Sequence, residues 1–294
     1  MKKFRGTGVA IVTPFKNDFS IDFAALGRVI NHVIEGGVNY IVAMGTTGEP
    51  ATLSRDEKKA LIAYVVEVID KRVPLVAGLG GNNTQEVINS VRQSNLSGID
   101  GILSVAPYYN KPTQKGLFQH FKAIATSSPL PVIMYNVPGR TSCNISAETC
   151  LELAHACENI VAVKEASGDL AQIMKIVKGK PENFSVISGD DMLSIPVIAA
   201  GGTGTISVLA NAFPGQTTEM VSMALKGNFK AAREIQFRLI EMIELLFTEG
   251  NPGGVKAMLN ILNICQNNLR LPLVPVGRSV YARIQKSIEE VNKG

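Results

Sequence analysis

Four cysteines occur in the chain, Cys143, Cys150, Cys157 and Cys265, and none forms a C-x-x-C pair or stands at ligand spacing from a histidine. Neither zinc binding nor thiol redox chemistry is indicated, and the expectation is a set of reduced thiols in a cytoplasmic protein with no metal site. The seven-residue spacing of the first three reads as core packing. Nor is there a dense Lys/Arg block with interleaved aromatics: 29 basic and 25 acidic residues are spread along the chain. That pattern argues against a nucleic-acid surface, and the small net charge of +4 suits a small anionic ligand better. No apolar run approaches transmembrane length, so no membrane partner is expected. Met1-Lys2-Lys3 before "GVAIVTPF" has the look of a leader, but Pro14, Lys16, Asn17 and Asp18 interrupt the run and no small-residue cleavage site follows. It reads as a first strand. The 27 Gly and 14 Pro are scattered rather than clustered, so no linker divides the chain and a single structural unit is expected.

What the sequence does hold is a recurring alternation. Short runs rich in Val, Ile, Ala and Gly fall at 8–15, 40–45, 74–80, 101–107, 131–137, 160–166, 184–190 and 204–210. Between them lie helix-like segments with start signals: Asp22, Ser54 with Glu57 as a capping box, Thr84, and Ser146. Roughly thirty residues per repeat is the size of a βαβ unit. Continuous apolar strands with helical crossovers imply a parallel sheet buried on both faces, and eight of them allow it to close. The fold class predicted is α/β, a (β/α)8 barrel over 1–225. Residues 213–294 exceed what the eighth helix needs, which leaves 226–294 as a C-terminal extension. "FKAAREIQFRLIEMIELLF", "VKAMLNILNIC" and "RSVYARIQKSIEEV" read as amphipathic helices of a C-terminal extension packed on the barrel. A doubly wound open sheet is the alternative, and it lacks a G-x-G-x-x-G after the first strand.

Barrel chemistry sits at the C-terminal ends of the strands. Strand two ends in Gly45-Thr46-Thr47-Gly48-Glu49, strand four in Pro107-Tyr108-Tyr109-Asn110, and strand five in Tyr135 with Arg140 in its loop. Strand six carries Lys164, strand seven Ser188-Gly189-Asp190-Asp191, and strand eight Ile206. Lysine is almost never fully buried without a partner or a purpose. Two explanations of Lys164 stand side by side: it neutralises a carboxylate such as Asp190, Glu165 being on the opposite face of its strand, or it is a nucleophile whose burial favours the neutral amine that attacks a carbonyl. Imine chemistry needs proton transfer at each step, and His32, His120 and His155 all fall in helical segments. Hydroxyls remain, with Tyr135 on the neighbouring strand and Thr46 and Tyr109 as a relay. Taken singly, Tyr135 reads as a core tyrosine and Thr46 as a turn residue; their convergence with Lys164 favours chemistry. "GTTGE" offers backbone N–H groups and two hydroxyls to a small carboxylate. "GGTGT" at 201–205 precedes strand eight and so falls at the wrong end of the barrel for a ligand.

The motifs "GTTGEPATL", "PYYNKPTQ", "YNVPGRT", "VAVKEASGD", "SGDD", "GGTGTISV" and "NPGGVKAML" closely resemble those of the dihydrodipicolinate synthase family, pyruvate-dependent class I aldolase-type barrels of lysine and diaminopimelate biosynthesis. The resemblance implies that Lys164 forms an imine with pyruvate, needing no other cofactor, and that Tyr135, Thr46 and Tyr109 relay protons. It further implies that Thr47 holds the pyruvate carboxylate, that Gly189 and Ile206 give main-chain contacts, and that Arg140 meets the carboxylate of L-aspartate 4-semialdehyde. Tyr109 would come from a neighbouring subunit, in a homotetramer built as a dimer of dimers. In lysine-inhibited members an effector pocket at the dimer interface matches Asn82, Glu86 and Tyr108. Arg55 and Lys58 stand where the enterobacterial enzymes have histidines, and Pro50 replaces a small polar residue, so weak inhibition is expected. Within the same superfamily, N-acetylneuraminate lyase and keto-deoxy-sugar aldolases share the lysine and tyrosine but usually lack the Thr-Thr pair with "PYYN" and this arginine. A catalytically silent carboxylate-binding barrel is the reading from another class, and the joint presence of Lys164, Tyr135, Thr46 and Tyr109 weighs against it.

Overall fold

The computed structural model describes residues 3–291. Met1 and Lys2, the basic start of the leader-like segment, and 292–294, the end of the expected extension, lie outside the described residues. Eight strands close into a parallel barrel in chain order: β1 (Gly6–Ala10), β2 (Tyr40–Ala43), β3 (Leu75–Gly78), β4 (Gly101–Val105), β5 (Val132–Asn136), β6 (Ile160–Glu165), β7 (Ser185–Ser188) and β8 (Gly204–Ser207). The predicted (β/α)8 barrel is thus the observed one. Its strands are shorter than the apolar runs, because the residues beyond them turn over the rim; after β2, for example, two 3-10 turns occupy Thr46–Gly48 and Pro50–Thr52.

Helices α1 (Phe23–Glu35), α2 (Arg55–Ile69), α3 (Thr84–Gln93), α4 (Gln114–Ser127), the single turn α5 (Pro138–Thr141), α6 (Ala147–Ala156), α7 (Leu170–Gly179), α8 (Ser194–Ala199) and α9 (Pro214–Leu225) connect or follow the strands. Asp22 accepts from the Ala25 amide, and Ser54 with Glu57 forms the full capping box. The start of α3 departs from expectation. Asn83 caps it, accepting from the amides of Gln85 and Glu86, while Thr84 is the first helical residue and its hydroxyl pairs with His120 Nδ1 at 2.8 Å. Asn outranks Thr as a cap. Cys143, Cys150 and Cys157 are buried free thiols in one apolar cluster, though only Cys150 lies within α6.

Inside the barrel, Tyr40, Val42, Val76, Leu103, Ile133, Ile187 and Ile206 form a buried tier. Gly8 faces the Tyr40 ring so closely that a Cβ there would lie 2.3 Å from it. The closure between β8 and β1 is pinned by Asn211, whose Nδ2 donates to the Ala10 carbonyl at 2.8 Å and whose Oδ1 accepts from the Val12 amide at 3.1 Å.

Three further helices follow: α10 (Phe229–Phe247), α11 (Gly253–Ile261) and α12 (Arg278–Val291). Helices α10 and α12 match the expected segments and are amphipathic, with Leu239, Met242, Ile243, Leu246, Ile284 and Ile288 on buried faces. Helix α11 is not amphipathic: Gly253 through Leu259 are all buried, Lys256 included. Gly254 is required there, since a Cβ would meet the Leu245 carbonyl oxygen at 2.6 Å. Among the described residues no helix is long and apolar enough to cross a membrane.

Candidate active site

Strand register brings the first two functional side chains together. Tyr135 on β5 is paired directly with Lys164 on β6, and the alternation of a strand sends both into the barrel while Asn136 and Glu165 point outward. Lys164 is 4% exposed, its Nζ 4.3 Å from the centroid of the Tyr135 ring. Among the described residues it has no ion pair. Of the two sequence readings of Lys164, the counter-ion role therefore has no carboxylate to serve. Glu165 is held on the outer face, accepting from Asn136 Nδ2 at 2.8 Å, Gln172 Nε2 at 2.9 Å and the Ser167 amide at 3.2 Å. Burial raises its pKa, and those hydrogen bonds pull the other way. Asp190 accepts from the Met192 amide at 2.9 Å.

Above Lys164 opens a cavity of about 290 Å³ whose lining includes Thr46, Thr47, Tyr135, Arg140, Lys164, Gly189, Asp190 and Asn251. Six of the eight residues singled out from sequence thus meet in one space. Gly189 is there for room: a Cβ would sit 2.9 Å from Lys164 Cε and 3.0 Å from its Cγ. Arg140, on the turn of α5, is exposed at the mouth. Ile206 is buried among the interior tier, outside the lining. The register that pairs Ser188 with Thr205 sets it level with Gly189, just past the end of β7. Tyr109 does not join the cavity of its own chain; it is 89% exposed with φ +74°.

The outer wall was not foreseen. Ile243, Glu244, Phe247 and Asn251, all from the C-terminal extension, complete the lining. Asn251 Nδ2 donates to Thr47 Oγ1 at 3.1 Å. Two residues past Thr47, Glu49 is buried and ion-paired to Lys256, and its second oxygen accepts from the Arg270 amide at 3.1 Å. Arg270 also donates to the Thr52 carbonyl at 2.9 Å and to Glu57 Oε2 at 2.8 Å. A lysine inside the apolar run "GGVKAMLNIL" was the available sequence signal for this wall. Asp191, beside Asp190, serves the fold: it accepts from Ser207 Oγ and from the amides of Val208 and Leu209 at 2.9 and 3.1 Å, fixing the turn after β8. Among the described residues no three His, Cys, Asp or Glu side chains gather as metal ligands would. The cavity thus brings together an amine, two threonine hydroxyls, a phenol and a guanidinium, with the carboxylates of Asp190 and Glu244 and the amide of Asn251 also in its lining.

Comparison with known proteins follows the same direction. A profile of the Dihydrodipicolinate synthetase family matches residues 3–291. A 4-hydroxy-tetrahydrodipicolinate synthase of Flavobacterium psychrophilum is 48% identical over 293 residues, covering 100% of both chains. The crystal structure of dihydrodipicolinate synthase from Aquifex aeolicus superposes with a TM-score of 0.95 at 41% identity, covering 98% of each chain. A structure described as the first monomeric dihydrodipicolinate synthase variant has a TM-score of 0.96 at 39% identity, covering 99% of this chain and 97% of that one.

Proposed function

The chain belongs to the Dihydrodipicolinate synthetase family, and from that premise we propose that it condenses pyruvate with L-aspartate 4-semialdehyde to 4-hydroxy-tetrahydrodipicolinate. The observation that carries the reading is Lys164: nearly inaccessible, without an ion pair among the described residues, and in a cavity whose lining includes the hydroxyls of Thr46, Thr47 and Tyr135 and the guanidinium of Arg140. The Lys164 amine attacks C2 of pyruvate; the carbinolamine loses water to give the imine, and a proton leaving C3 gives the enamine. The enamine carbon attacks the aldehyde. The amino group of the adduct then closes on the imine carbon and releases Lys164, so one water leaves for each pair of substrates joined.

Tyr135, beside the amine, moves the protons of these steps, with Thr46 and a neighbouring subunit's copy of the Tyr109 position as the relay to solvent. Thr47 holds the pyruvate carboxylate, Gly189 and Ile206 offer main-chain contacts, and Arg140 receives the carboxylate of the semialdehyde at the mouth. No cofactor beyond the lysine enters this scheme. The working form is a homo-oligomer, a tetramer built of two dimers, in the cytoplasm, with the barrel over 1–225 and the extension over 226–294 acting as one unit. Borohydride reduction in the presence of pyruvate tests the proposal. One reduced pyruvate adduct is expected, on the peptide containing Lys164; an adduct on another lysine, or none, overturns it.

A further inference from the structure

The C-terminal extension reaches a side chain of the site through a polar contact from Asn251 Nδ2 to Thr47 Oγ1 at 3.1 Å. Thr47 is 2% exposed and Asn251 6%, so neither group exchanges this partner freely for bulk water. A threonine hydroxyl has one proton to give and two lone pairs to receive with. When the amide of Asn251 occupies a lone pair, the proton must point elsewhere. Among the described residues the Thr47 hydroxyl donates to no protein acceptor, and it lines the cavity above Lys164. The proton is thereby left for a ligand.

The other half of the same amide makes this arrangement costly. Asn251 Oδ1 is buried, with no hydrogen-bond partner among the described residues. A leucine of similar size would carry no such penalty, so packing alone does not account for an amide at this position. The segment holding Asn251 is firmly placed, between α10 and a helix α11 buried through Leu259, with Lys256 tied to Glu49. We infer that Asn251 is a positioning residue for the 2-oxo acid: it donates to Thr47 Oγ1 and so turns the Thr47 hydroxyl into a donor aimed at the substrate carboxylate. The extension, which also walls the cavity with Ile243, Glu244 and Phe247, then sets the affinity of a site whose other groups are on the barrel. This inference rests on the proposed function, since it names the carboxylate of pyruvate as the acceptor.

The test follows pyruvate dependence of borohydride trapping in four proteins: the parent, Asn251→Leu, Thr47→Val, and the double variant, each with its thermal midpoint measured. Asn251→Leu keeps volume, and Asn251→Ala is the second choice should the leucine prevent folding. In the Thr47 parent, either change should raise the half-saturating pyruvate concentration about tenfold, about 1.4 kcal/mol. The KM for the semialdehyde and the trapped stoichiometry at saturating pyruvate should hold. In the Thr47→Val background the same change should add less than about twofold, because residues acting through one contact are not additive. An effect of equal size in both backgrounds, an unchanged pyruvate requirement, or a shift confined to the semialdehyde overturns the inference while leaving the function intact. A parent protein that forms no adduct overturns the functional reading itself.

Discussion

Lys256 donates into the carboxylate of Glu49, and neither side chain has any exposure to solvent. Glu49 is where the two 3-10 turns of the "GTTGE" loop abut, and its backbone is left-handed at φ 52°, ψ 42°, a conformation that costs a non-glycine residue about 1 kcal/mol or more. The ion pair, the Arg270 amide and a second Lys256 bond to the Asn268 carbonyl at 2.8 Å hold it there. Burial pushes the Lys256 pKa down, and the charge of Glu49 opposes that shift. Lys256→Met should cost about 3–5 kcal/mol, because it leaves a carboxylate buried without a counter-ion. The double variant with Glu49→Gln should recover most of it, and denaturant unfolding reads both. A loss below about 1 kcal/mol in the single variant would show that the pair does not anchor the loop.

Arg140 stands exposed at the mouth of the cavity, while Lys164 lies at its base. Arg140→Ala should therefore raise the KM for the semialdehyde at least about tenfold, the loss expected for a charge-assisted hydrogen bond. Pyruvate trapping on Lys164 should persist nearly undiminished. Equal loss of both steps would assign Arg140 a structural role, and high activity of the parent protein on N-acetylneuraminate would favour the lyase reading.

Tyr109 is 89% exposed and is not among the residues that line the cavity of its own chain. Its positive φ of 74° is a strained conformation for a tyrosine, and Tyr108 beside it is 44% exposed. Both features fit a residue completing a partner's site across a two-fold interface. Mixing inactive Lys164→Ala with inactive Tyr109→Phe subunits should restore part of the activity through hybrid dimers. No recovery after verified subunit exchange would count against a shared site.

The barrel and much of its site were legible because both are written locally. Each strand is a short apolar run, and the rim residues follow at its end, so Lys164 and Tyr135 announce themselves as a lysine and a phenol on adjacent buried strands. Helices α10 and α12 were equally plain from their periodicity. The outer wall was not, since its contacts join positions 204 and 207 residues apart, Asn251 to Thr47 and Lys256 to Glu49. Lys256 alone looks like the polar stripe of a surface helix, and only packing shows that α11 has no surface stripe through Leu259. The cap of α3 was misplaced for a smaller reason: Thr84 and Asn83 are both cap formers, and the threonine is claimed by His120.

His120 gives the protein a pH-dependent element away from the site. It is 4% exposed, shares a hydrogen bond between Nδ1 and Thr84 Oγ1 at 2.8 Å, and has no partner at Nε2 among the described residues. Burial lowers its pKa from 6.5 to about 4. Between those values the unfolded chain binds a proton that the folded one refuses, so this contribution to stability is full above pH 6.5 and is lost as pH falls towards 4. Buried Glu165 and Asp191, raised by desolvation, act in the opposite sense over acidic pH. The difference between variants isolates the histidine. Unfolding free energy of His120→Leu should fall less steeply than that of the parent from pH 6.5 to 4; parallel curves would show that His120 is not the group titrating.

Feedback by lysine should be weak in this protein. Asn82 Nδ2 donates to the Tyr108 carbonyl at 3.0 Å, and Asn110 Nδ2 to the Asn82 carbonyl at 2.9 Å, so Asn82 and the "PYYN" segment form one surface. Arg55, at the start of α2, donates to Gln93 at the end of α3, the helix that carries Glu86. Its charge is thus tied to the helix that would line an effector pocket, with Lys58 one turn along α2. A histidine at either position can be neutral near pH 7, whereas Arg and Lys carry full charges. At about 4 Å and an effective dielectric of roughly 20, one such charge opposes a lysine ammonium by about 4 kcal/mol before screening. If about 1.4 kcal/mol survives side-chain swing and the offset from Glu86, binding weakens tenfold. Assay at saturating pyruvate with rising L-lysine should show half-inhibition only above the submillimolar range. Arg55→His with Lys58→His should shift it to lower lysine. Submillimolar inhibition of the parent would mean that these two charges do not face the effector.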